Sequence, residues 1–116
     1  MGLYQSIYRF DGTLPELDAV YAEARRRLGS TYGIHGLTVS GDTVVARSTL
    51  DPFAYPVVCA ILEELGGQRL DGRNGQPAPS EVPSWAHAPI RDMPWYKRLA
   101  VRYRWRARLS GISNPR

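Results

Sequence analysis

Residues 35–50 read HGLTVSGDTVVARSTL, and Gly41-Asp42 divides them into two short runs in which residues meant for either face alternate. A two-residue loop that begins with glycine is the primed-turn signature of a β-hairpin. Setting Ser40 opposite Thr43 places Val39 opposite Val44, Leu37 opposite Ala46 and His35 opposite Ser48. These residues share one side of the ribbon, and the apolar ones mark it as the core side. Gly36, Thr38, Val45 and Arg47 share the other side, which is expected to face water or a partner.

The segments on either side of the hairpin complete the architecture. Leu3 to Phe10 is aromatic and β-branched and stops at Asp11-Gly12, so it reads as a first strand. A helix follows. Thr13 and Glu16 stand in capping-box spacing, Pro15 suits a first turn, and Gly29 suits the end. Leu14, Leu17, Val20, Tyr21, Ala24 and Leu28 fall on one face, with Arg25-Arg26-Arg27 late in the segment, as the helix dipole prefers. A second helix is predicted from about Pro56 to Leu65, with a buried stripe of Val57, Val58, Ile61, Leu62 and Leu65 and with Gly66-Gly67 as its stop. Gln68–Asp71 reads as a short last strand. The order strand, helix, strand, strand, helix, strand is that of ferredoxin-like βαββαβ folds. The expected fold is therefore α+β: a four-stranded antiparallel sheet with two helices on one face.

Residues 1–71 form this core. Residues 72–94 contain five of the nine prolines and lose all periodicity, as a linker or strap does. Trp85 within them points to a strap docked on the core. Residues 95–116 form a basic, aromatic tail expected to pack on the same single domain. Val101 to Leu109 alternates apolar and basic like a strand. Pro94 and Gly111 are helix end signals, and they favour a helix there.

Charge is divided unevenly. Residues 91–116 hold eight basic side chains against Asp92, a net +7, and residues 1–90 hold seven arginines against ten acids, a net −3. The longest apolar run, Val57 to Leu62, is far below the ~20 residues of a membrane-spanning helix. The N-terminus lacks the basic-then-apolar pattern of a signal peptide. One cysteine, Cys59, cannot form an intramolecular disulfide, and a cytoplasmic location is the expectation.

Groups that carry chemistry are scarce. His35 and His87 are the only neutral-pH acid–base candidates, and with Cys59 they do not make a zinc set. Cys59 falls off the main stripe of its helix, where a packing role is expected. The glycines at 66–67 and 72–75 match no phosphate-binding loop. No catalytic residue, metal or cofactor is therefore expected. Arg98, Arg102, Arg104, Trp105, Arg106 and Arg108 form the strongest candidate surface, because arginine and tryptophan are favoured anchors of protein interfaces. Tyr4, Tyr8 and Arg47 are a second candidate, on an open sheet face. The expected function is protein–protein contact with an acidic partner, of adaptor, regulatory or toxin-neutralising immunity type. The alternative is a nucleic-acid binder that uses the arginine-rich tail and the sheet face.

Overall fold

A computed structural model of the chain describes residues 5–29, 36–47 and 53–89. Its elements are β1 (Gln5–Arg9), α1 (Leu17–Leu28), β2 (Leu37–Ser40), β3 (Thr43–Arg47), α2 (Ala54–Glu64) and β4 (Gln68–Leu70), then a 3-10 turn at Ser84–His87. The strands form one antiparallel sheet in the order β2-β3-β1-β4. Each helix thus connects two strands that have a third between them, which is the ferredoxin-like topology.

The hairpin has the register read from its turn, with Leu37, Thr38, Val39 and Ser40 opposite Ala46, Val45, Val44 and Thr43. Gly41 alone of the two loop residues has positive φ, at 61°, the arrangement of a turn that needs glycine first. Thr43 Oγ1 closes the loop by donating to the Ser40 carbonyl at 2.6 Å. Val39 departs from expectation. It lies on the core side but is 49% exposed, because β2 is the edge strand and the core does not extend to its tip.

Helix α1 begins later than the capping-box spacing predicts. Glu16 is the N-cap, with extended backbone at φ −74° and ψ 127°, and no side chain caps the helix. The proline explains this: Leu14 precedes Pro15 and is biased toward extended backbone, which delays the first turn. The C-terminus ends as expected, with Gly29 at φ 73° donating its N–H to the Arg25 carbonyl.

Helix α2 starts two residues before Pro56, whose missing N–H falls in the first turn, where no intrahelical partner is needed. It is buried on nearly every side, from Ala54 through Leu62 except for half-buried Tyr55. One flank meets the sheet and α1. The strap residues Val82, Trp85 and Ala86 pack against the same core, with Trp85 edge-on to Phe53 at 5.8 Å and 76°. Leu65, predicted to be buried, is 53% exposed because the helix ends before it. The chain then reverses. Gly67 donates its N–H to the Leu62 carbonyl at 2.9 Å and passes so close to Phe10 that a side chain has no room.

The strap is more ordered than its composition suggests. Residues 72–75 turn back, Asp71 donates to the Gln76 carbonyl, Ala78 donates to the Arg69 carbonyl, and Pro77 bridges Leu70. These bonds cover the outer edge of β4.

Candidate functional site

Alternation along β1 decides where the candidate residues point. Ser6, Tyr8 and Phe10 are buried on the helix side, with partners Ala46 and Val44 on β3. Gln5, Ile7 and Arg9 face the other way, level with Arg47, Val45 and Thr43. Tyr8 and Arg47 therefore lie on opposite faces, and the expected open face of Tyr4, Tyr8 and Arg47 is corrected. Tyr8 is 1% exposed because α2 covers it. Tyr4 lies outside the described residues, as do the tail candidates Arg98, Arg102, Arg104, Trp105, Arg106 and Arg108.

Beneath α2, Tyr8 belongs to a buried polar cluster. Its hydroxyl donates to Glu63 Oε2 at 2.9 Å, and Ser80 from the strap donates to Glu63 Oε1 at 2.7 Å. Ser6 and Tyr55 share a hydroxyl–hydroxyl hydrogen bond of 2.5 Å. Burial raises both tyrosines above the ordinary phenol range. Cys59 lies within this group rather than off the packed side of its helix. Burial pushes its thiol up to about 11, against the pull of hydrogen bonds with Tyr8, Ser6 and Tyr55. A buried, protonated thiol is a poor nucleophile. Both oxygens of Glu63 are already engaged, so the cluster fastens β1, α2 and the strap together.

A second polar node joins the two helices. Arg27, buried on α1, donates to both oxygens of Glu64 on α2, at 3.0 and 2.6 Å, and to Glu23 at 2.8 Å. His87 Nδ1 lies 2.7 Å from Glu64 Oε2. Glu64 is held below the usual carboxylate range, first by the Arg27 hydrogen bonds, so it accepts and the imidazole N–H donates. In the sequence the three arginines at 25–27 read together as one dipole-compatible helix end. Of the three, only Arg27 stands at the spacing of the apolar stripe, three residues after Ala24, and that is the available signal.

Arg69 reaches the strap through the Pro79 carbonyl and Glu81, both at 3.2 Å. Among the described residues, no three His, Cys, Asp or Glu side chains come together to hold a metal ion. No described helix is long and apolar enough to cross a membrane.

The face opposite the helices has a different character. Thr38, Val45, Ile7 and Leu70 share one register line across all four strands, and Pro77 extends it beyond β4. Ile7 and Val45 are half-buried and Leu70 is buried, yet Leu70 is not part of the core beneath the helices. Exposed Arg9 and Arg47 flank this row on either side, and the strand residues of this face include no carboxylate. No protein-family model, curated protein or solved structure matches the chain.

Proposed function

We propose that this protein is a non-catalytic binding protein that acts by contact with an acidic protein surface, as an adaptor, regulatory or toxin-neutralising immunity protein does. One observation carries the reading: the apolar row Val45–Ile7–Leu70, with Arg9 and Arg47 beside it and no acid on the strands of that face. An apolar centre with a charged rim is the anatomy of a protein interface. The engagement of Glu63, Glu64, Tyr8 and Cys59 in structural networks supports it further, because those groups are already committed to holding the fold.

The nucleic-acid alternative loses support with Tyr8. Base stacking needs exposed aromatic rings, and residues 5–9, 37–40, 43–47 and 68–70 present none on the open face. The test is comparative capture from the native host with wild-type protein and with the Arg9→Glu/Arg47→Glu variant. Specific proteins retained by wild type and lost from the variant support the reading. Retained nucleic acid instead, or identical capture by both proteins, overturns it.

A further inference from the structure

We infer that residues 75–79 are an edge guard: a segment laid along β4 whose outward row carries no hydrogen-bond donor, so that this side of the sheet does not take up a strand from a second copy of the chain.

A strand at the border of a sheet turns N–H and C=O groups outward and is a ready template for another chain. Among the named strands β4 pairs only with β1, so its far side would be such a border. The strap lies along it instead. Ala78 donates to the Arg69 carbonyl at 2.9 Å, and Asp71 donates to the Gln76 carbonyl at 2.7 Å. These two bonds bracket the antiparallel bridge between Leu70 and Pro77. Backbone groups alternate in direction along an extended chain. With residues 76 and 78 turned toward β4, positions 77 and 79 are turned away from it.

Both outward positions are proline, which has no N–H. Gly75, two residues earlier on the same side, spends its N–H within the turn, on the Asp71 carbonyl at 2.8 Å. The Pro79 carbonyl is engaged by Arg69 Nη1 at 3.2 Å. Pro77 and Pro79 are both exposed, so burial does not close this edge. The missing donors close it: an incoming strand would have to leave its own carbonyls unpaired against the row. A proline at 78 would remove a bond to β4. At 77 and 79 it removes none and denies the edge to other strands.

The opposite edge is closed by other means. Arg47 donates to the Gly36 carbonyl at 3.0 Å, so Gly36 faces β3 and Leu37 faces outward. The Leu37 N–H donates to the Tyr21 hydroxyl on α1 at 3.0 Å. That leaves Val39 as the one other outward position of a four-residue strand. Each edge thus has an outward donor removed, by proline on one side and by a tyrosine hydroxyl on the other.

The test uses the full chain. Pro77→Val/Pro79→Val restores both outward N–H groups and adds β-branched side chains, which suit strand pairing. Light scattering over a dilution series should show this variant associating at a protein concentration at least tenfold below any at which wild type does, with circular dichroism native. Hydrogen exchange followed by NMR locates the contact. The restored amides at positions 77 and 79 should exchange at least tenfold more slowly in the associated sample than in the dilute one. A folded variant that scatters like wild type at every concentration overturns the inference. Association that leaves those two amides unprotected overturns it as well. If the double variant loses the native spectrum, Pro77→Val alone carries the same test with one restored amide. Loss of the fold in both variants would assign the prolines to the strap's own folding and overturn the guard.

Discussion

Arg27 and Glu64 lie 37 residues apart in sequence and meet through two hydrogen bonds, one to each carboxylate oxygen, across the α1–α2 contact. The Arg27 side chain is only 10% exposed, so the guanidinium is largely out of water when it makes this pair. A buried charge that loses its partner is costly, which makes the pair a sensitive point of the fold.

Arg27→Ala removes the buried stem and its charge-assisted hydrogen bonds and should destabilise the protein by about 1–3 kcal/mol, and Arg27→Met, which keeps the apolar stem, by less. Urea denaturation measures both. Equal and small losses would show that the pair adds nothing beyond packing.

Acid should weaken the same node. Hydrogen bonds from Arg26, then Arg27, hold the Glu23 carboxyl down to about 2, and Arg27 holds Glu64 below its ordinary range. A carboxylate lowered by folding contributes fully above its unfolded value, and that contribution is lost as pH falls through the folded value. Stability from these groups should be constant from pH 7 to about 5 and decline toward pH 2. Glu64→Gln should flatten part of the decline in urea titrations at successive pH values.

Cys59 gives the opposite sign. Folding favours the neutral thiol, so its contribution is full below the unfolded value near 8.5 and is lost as pH rises toward about 11. At pH 8 the native thiol should resist a disulfide reagent and react fully in urea. Rapid labelling of native protein would contradict the burial.

Gly67 tests the packing of the sheet against the end of α2. A Cβ there would meet Phe10 Cζ at 2.8 Å and the Leu62 carbonyl oxygen at 2.9 Å. Gly67→Ala should cost about 1–3 kcal/mol by overpacking. Gly72→Ala, with nothing within 4 Å of its Cβ, should change stability by no more than about 0.5 kcal/mol. Thermal unfolding compares the two.

Arg102, Arg104, Arg106 and Arg108 of the basic tail lie outside the described residues. Reversing all four to glutamate should abolish capture of the protein partner while circular dichroism stays native. An unfolded variant would instead assign those arginines to holding the chain on its acidic body.

Much of the fold was legible because its signals are local. The Gly41-Asp42 loop set the hairpin register, Gly29 set the end of α1, and the stripe through Val20 and Ala24 marked the side that is buried. The site was less legible. Tyr8 looks like a surface aromatic, and Arg27 is the third of three arginines. Each takes its role from a carboxylate on α2, Glu63 for one and Glu64 for the other, and no local pattern identifies those partners.

The sequence by itself determined the elements, their order and the pairing of the hairpin, because periodicity, turn chemistry and caps act over a few residues. The tertiary structure alone decided which face of β1 the helices cover, and so buried Tyr8 and left Ile7 and Arg9 on the opposite face. The physical reason lies in the polar groups. Ser6 and Tyr8 can be buried only where Tyr55 and Glu63 satisfy their hydroxyls, and those partners, 49 and 55 residues away, come within reach only when α2 packs on the sheet.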